Sequence, residues 1–145
     1  MNTQIEWEDI FRITKKLVDE IQASGKKYDY ILTIPKGGLV PSYFFADALQ
    51  IPVETVTVQS YDGEDRGELV LHEQSGFSKE IKEGDNVLVV DDIYDSGATM
   101  KYITERFPAV DIVCLYARYP NHSATFVGEI LNHDQYIDFP WEGKV

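Results

Sequence analysis

Between residues 6 and 23 (EWEDIFRITKKLVDEIQA), Ile10, Ile13, Leu17, Val18 and Ile21 recur three or four positions apart, which predicts an amphipathic helix. Ser24-Gly25 marks its end. YDYILTI (28–34) predicts a strand, and PKGGLVPS a turn. LVPSYFFADAL then predicts a helix in which Pro41 is tolerable only within the first turn. VETVTVQ (53–59) alternates and is β-branched, so it predicts a second strand. Residues 60–85 are polar and rich in glycine, with a short pairing segment at Glu68–His72. A connection this long inside a compact domain is usually functional or mobile. Beyond it the pattern predicts a strand over 86–91, a loop over 92–97, a helix from about 98 to 107 and an apolar strand over 111–117. A weaker strand follows near 124–130. Strands alternating with helices predict an α/β fold with a mainly parallel central sheet flanked by helices and joined by right-handed crossovers.

The 145 residues fit one domain. No apolar run approaches the ~20 residues of a membrane span. MNTQIEWED lacks the basic and apolar regions of a secretory signal. A single cysteine, Cys114, rules out an internal disulfide or a multi-cysteine metal site; its apolar neighbours predict a buried, inert thiol. These features predict a cytoplasmic protein without a membrane partner. The net charge of −12 argues against nucleic acid as a partner. It also means that any phosphate must be held locally, by backbone amides, helix N-termini, a few placed cations or a divalent metal.

NVLVVDDIYDSGAT (86–99) is an apolar strand that runs into paired acids and a loop of small residues. A second small-residue loop, IPKGG (34–38), follows the first long strand. Ligands of open α/β sheets bind at the carboxyl ends of the strands, and both loops enter helices there. The loop at 95–99 suits a monophosphate, with hydroxyls on Ser96 and Thr99 and accessible amides at Gly97 and Ala98. Asp91 and Asp92 suit sugar hydroxyls or a hard cation such as Mg²⁺. A phosphorylated ribose meets these demands together. The chain contains neither a G-x-x-x-x-G-K-[ST] nor a G-x-G-x-x-G motif. The residues alone leave Asp95 open to a second reading as a helix N-cap, and PKGG to one as a tight turn.

VLVVDDIYDSGAT resembles the phosphoribosyl diphosphate (PRPP) motif of type I phosphoribosyltransferases: an apolar strand, two acids, two spacers, then Asp-Ser/Thr-Gly-x-Thr. EWEDIFRITKKLVDEI, YDYILTIPKGGLVPSYFFADALQIP, VQSYD, AVDIVCLYARYP and YIDFPWE extend the likeness, in order, to the bacterial xanthine–guanine phosphoribosyltransferases. The resemblance implies the type I phosphoribosyltransferase fold as one domain over 1–145. That domain has a flexible hood over about 60–85 and a small base-binding segment over about 118–145. It implies Mg²⁺-dependent transfer of phosphoribosyl from PRPP to guanine, xanthine or hypoxanthine in purine salvage, by a homodimer or homotetramer. On this likeness Asp91 and Asp92 hold the ribose diol and lie near Mg²⁺, and Asp138 helps to position the metal. Asp95, Ser96, Gly97, Ala98 and Thr99 cradle the 5′-phosphate, with Asp95 also the general base. Lys36, Gly37 and Gly38 form the diphosphate loop, with a cis Lys36–Gly37 peptide expected. Arg118 stands where the family has a Lys that bonds the purine 6-oxo group. Tyr136 stands where an aromatic residue, often Trp, stacks on the base, and the carbonyls around Tyr136 and Ile137 read its 2-position. The family's basic hood residue aligns with Gly67, so Arg66 or Lys79 takes its place. Two alternatives stay open: a non-catalytic PRPP-binding regulator, and a phosphoribosyltransferase for another base.

Overall fold

A computed structural model describes residues 2–61, 68–73, 84–95, 97–118, 123–132 and 134–143. The element order is β1 (Asn2–Gln4), α1 (Trp7–Ala23), β2 (Tyr30–Thr33), α2 (Leu39–Leu49), β3 (Val53–Tyr61), β4 (Glu68–Glu73), β5 (Val87–Tyr94), α3 (Ala98–Arg106), β6 (Asp111–Ala117), β7 (Phe126–Ile130) and β8 (Tyr136–Asp138).

Helix α1 buries the predicted face, Ile10, Ile13, Leu17, Val18 and Ile21. At its start the Asp9 carboxylate accepts the Glu6 N–H at 2.9 Å, which satisfies a donor the helix cannot. Its end is set by Ser24, whose Oγ donates to the Ile21 carbonyl at 2.6 Å, and by Gly25 at φ +76°. Pro41 is the third residue of α2, within the turn where its missing N–H costs nothing.

Six strands form one sheet in the order β4-β3-β2-β5-β6-β7. Every neighbouring pair is parallel except β3 and β4. Alternate residues of the central strands serve two cores. Ile31, Leu88, Val90, Val113 and Leu115 pack with the apolar faces of α1 and α2. Tyr30, Leu32, Val87, Val89, Ile112 and Cys114 pack with Met100 and Ile103 of α3. Burial on both faces explains why these strands read as unbroken apolar runs.

The chain proceeds outward from β2 to β3 and β4 on one side, and from β5 to β6 and β7 on the other. The strand order therefore reverses between β2 and β5, which opens a crevice at their carboxyl ends.

Three features differ from the sequence expectation. Strand β5 does not stop at residue 91. It pairs with β6 through Ile93↔Tyr116 and Tyr94↔Ala117, so sheet pairing draws the acidic dipeptide into the strand and shortens the loop. Strands β1 and β8 were not predicted. Each has three residues and too little periodicity to register, and they pair in parallel from opposite ends of the chain, Asn2↔Tyr136 to Gln4↔Asp138. The cis peptide lies at Pro35–Lys36, one bond before the expected Lys36–Gly37. Strand β4 closely matches the pairing segment foreseen at Glu68–His72. Arg66, Lys79 and Ser96 lie outside the described residues.

Candidate active site

The register of β2 on β5, Thr33↔Val90, brings the two small-residue loops side by side. The Ile34 N–H continues the pairing by donating to the Val90 carbonyl at 3.2 Å. Gly38 follows at the start of α2, its N–H donating to the Ile34 carbonyl at 2.8 Å. A Cβ there would lie 2.6 Å from the carbonyl oxygens of both Ile34 and Val90. Only glycine lets α2 begin this close to the strand ends. A Cβ at Gly37 would strike the Asp92 carboxylate, with Cγ at 2.5 Å. The PKGG loop thus lies directly against Asp92, with Lys36 exposed beside it.

Asp91 and Asp92 are partly buried on β5. Asp91 Oδ1 accepts the Asp92 N–H at 2.8 Å, and Asp92 Oδ1 accepts the Ile93 N–H at 2.7 Å. Burial, then the neighbouring charge of Asp92, pushes Asp91 well above the usual carboxylate range. Burial also raises Asp92; hydrogen bonds from its neighbours oppose that, and the charge of Glu142 adds to it. Glu142 was not singled out in the sequence, where it is one acid in the closing FPWEGKV. Nothing local signals that the tail returns to β5. Asp138, the acid that was singled out, stands on β8 with its carbonyl accepting the Ile5 N–H at 2.8 Å.

Past β5 the backbone turns at Gly97, φ +80°, and α3 begins at Ala98. A Cβ on Gly97 would sit 2.9 Å from the Tyr94 ring, so both the conformation and the packing require glycine. Thr99 lies in the first turn of α3. Asp95 does not cap this helix: Gly97 holds the cap position.

Asp95 instead accepts Arg118 Nε at 2.7 Å on Oδ1. Arg118 directly follows β6, and its backbone N–H donates to the Tyr94 carbonyl at 2.9 Å. Its Nη1 donates to the carbonyls of Gln135 and, at 3.4 Å, Asn132. Its Cζ lies 5.5 Å from the centre of the Tyr136 ring, within cation–π reach. The Arg118 side chain is only 10% exposed, although Asp95 is 61% exposed. Tyr136 is 60% exposed, which is not the burial of a core tyrosine. Ile137 follows it in β8, half-buried. The structure therefore brings Asp95, Arg118 and Tyr136 together beside the phosphate-type loop.

Among the described residues no three His, Cys, Asp or Glu side chains form a metal cluster. The carboxyl ends of β2, β5 and β6 thus present a paired-carboxylate strand end, two glycine loops at helix starts and an aromatic–guanidinium pair.

The chain is 34% identical over 142 residues to a xanthine-guanine phosphoribosyltransferase of Idiomarina loihiensis, covering 95% of this chain and 85% of that protein. Its fold superimposes on a purine phosphoribosyltransferase of Pyrococcus horikoshii with a TM-score of 0.79 at 23% identity, covering 98% of this chain and 94% of that one. It also superimposes on a hypothetical protein of Neisseria gonorrhoeae with bound ppGpp, with a TM-score of 0.79 at 26% identity, covering 99% and 90%. Residues 2–118 match the phosphoribosyl transferase domain family, and with the two glycine loops flanking Asp91 and Asp92 the conclusion is that the chain belongs to that family.

Proposed function

We propose that this chain transfers the 5-phosphoribosyl group from PRPP to an oxopurine (guanine, xanthine or hypoxanthine), releasing diphosphate and a nucleoside 5′-monophosphate in purine salvage. One observation carries the reading: Asp95, Arg118 and Tyr136 meet next to the paired carboxylates at the switch point of the sheet. That arrangement offers a proton acceptor, a donor for a 6-oxo group and a stacking ring, all beside a site suited to ribose phosphate. The identity to a xanthine-guanine phosphoribosyltransferase over most of the chain supports it.

In this reading Asp91 and Asp92 accept the ribose hydroxyls. Residues 95–99, with the hydroxyls of Ser96 and Thr99, hold the 5′-phosphate at the start of α3, where the helix dipole favours an anion. Lys36, Gly37 and Gly38 receive the diphosphate, and Arg66 meets it from the hood over 60–85. The segment over 118–145 receives the base. Arg118 donates to the 6-oxo group, Tyr136 stacks on the ring, and the carbonyls of Tyr136 and Ile137 select its 2-substituent. As N9 of the purine displaces diphosphate at C1, Asp95 accepts the purine proton.

Asp91 and Asp92 fit Mg²⁺. They are hard oxygen donors whose burial disfavours uncompensated charge, and in this reading Asp138 helps to position the metal. Substrate oxygens and water would supply its other ligands, as is usual for this ion. Bound there, Mg²⁺ supplies charge neutralisation for the departing diphosphate.

We place the whole chain in one domain acting in the cytoplasm, without a nucleic-acid or membrane partner. Among the described residues no helix is long and apolar enough to cross a membrane. The chain assembles as a homodimer or homotetramer. Supporting this, Trp7, Phe11 and Tyr43 lie exposed on α1 and α2, joined through Phe44 by ring contacts of 5.5–6.4 Å.

The test is product identity. Incubated with PRPP, Mg²⁺ and guanine, the chain should yield guanosine monophosphate. PRPP binding without a nucleotide product from any base would favour a regulator instead.

A further inference from the structure

Arg118 is tied to three parts of the site at once. Its Nε holds the Asp95 carboxylate at 2.7 Å, its Nη1 holds the carbonyls of Gln135 and Asn132, and its plane lies near the Tyr136 ring. Its own backbone is pinned to β5 through the Tyr94 carbonyl. Asp95 is the opposite case. It sits at the end of β5, just before the left-handed turn at Gly97, and its side chain is 61% exposed. Without a partner, an exposed carboxylate there would be free to take several rotamers, only some of them aimed at a base. An ion pair with so exposed an acid contributes little to folding stability. The contact matters for where it puts the carboxylate.

We propose that Arg118 is a positioning residue for Asp95, joining the proton-accepting carboxylate and the base-stacking segment into one rigid unit. With Oδ1 engaged by Nε, Oδ2 is the oxygen left to take the purine proton. The planar fork is what makes this possible, because it presents donors in two fixed directions. A lysine ammonium at the same place reaches a 6-oxo group, but it cannot hold Asp95 and the Gln135 carbonyl in one plane. Arginine at 118 therefore does more than read the base: it sets the angle from which the carboxylate meets it. This inference rests on the oxopurine transferase reading.

The experiment is a double-mutant cycle with PRPP, Mg²⁺ and guanine, measuring kcat and both KM values for the unmodified chain, Arg118→Lys, Asp95→Asn and the double variant. Arg118→Lys should lower kcat on the order of 100-fold, the scale of a misplaced reacting group, with KM for PRPP unchanged. In the Asp95→Asn background the same change should cost less than about 3-fold, because coupled residues are not additive. Equal losses in both backgrounds, or a loss confined to KM for guanine, would overturn the inference and leave the reading intact. An unmodified chain with no oxopurine-dependent turnover would overturn the reading and the inference with it. An activity-independent check is the Arg118 Nε–H resonance of the unliganded chain. It should be protected from solvent exchange and lose that protection in Asp95→Ala; an unprotected resonance in the unmodified chain counts against the proposal.

Discussion

Asp91 and Asp92 carry like charge on adjacent residues, and burial makes that charge costly. Their folded-state pKa values lie above the unfolded ones, so folding takes up protons. This contribution to stability is present below the usual carboxylate range and is lost as pH rises through the folded values. Asp92→Asn removes one charge and keeps an oxygen to accept the Ile93 N–H. In thermal denaturation at pH 7 without ligand, its melting temperature should rise by roughly 3–5 °C, equivalent to about 1 kcal/mol. Its kcat/KM should fall by at least about tenfold, since a ligand to ribose and metal is lost. A fall in melting temperature would show that the carboxylate is stabilising. Asp95→Asn should behave differently: kcat falls by about 100-fold or more, far more than PRPP affinity measured by calorimetry. At this scale the sequence was informative wherever the chemistry was local. Asp91, Asp92, Asp95 and the glycines announce themselves within fourteen positions (86–99) and one short loop. Glu142 did not, because its bearing on Asp92 exists only once the tail has folded back.

Among the elements, the start of α2 is held by contact that no side chain can share. Gly38→Ala would place a methyl 2.6 Å from two backbone oxygens, that of Ile34 just past β2 and that of Val90 on β5, which cannot both retreat. Urea unfolding should show a loss of about 1–3 kcal/mol, the cost of overpacking; an unchanged midpoint would contradict the packing. The sheet makes a second, independent prediction. Tyr30 and Tyr116 are fully buried, and burial, helped by nearby acids, pushes each up to about 12. Stability should therefore hold up to pH ~10, the usual tyrosine value, and be lost as pH rises from there toward 12. Ultraviolet titration should find these two phenols silent until unfolding. Helix α1 was legible from its periodicity, whereas α2 and β6 showed as apolar stretches of adequate length. Strands β1 and β8 were not legible, since three residues carry no period and their partners lie at opposite ends of the chain. The length of β5 was misjudged for a related reason: pairing with β6 outweighs the local polarity of Asp91 and Asp92.

Across the whole molecule, the strand reversal between β2 and β5 gathers loops from distant stretches of chain into one crevice. The alternation of elements foretold a parallel α/β sheet, and the loops at 34–38 and 95–99 pointed to its strand ends, but strand order is a tertiary property, and it was the resemblance carried by VLVVDDIYDSGAT that assigned those loops to PRPP. The exposed aromatic face of α1 and α2 belongs to this scale as well. Tyr43 is 65% exposed, and Tyr43→Asp should convert the proposed homo-oligomer to monomer in sedimentation velocity while leaving the melting temperature of the monomer nearly unchanged. A parent chain that already sediments as a monomer would refute assembly through this face. Oxopurine transfer is read out by diphosphate release from PRPP and Mg²⁺, measured separately with guanine, xanthine, hypoxanthine, adenine, uracil and orotate. Release should depend on one or more of the three oxopurines and be absent with the other bases. Release supported only by a pyrimidine or adenine, or none with any base, would contradict oxopurine transfer.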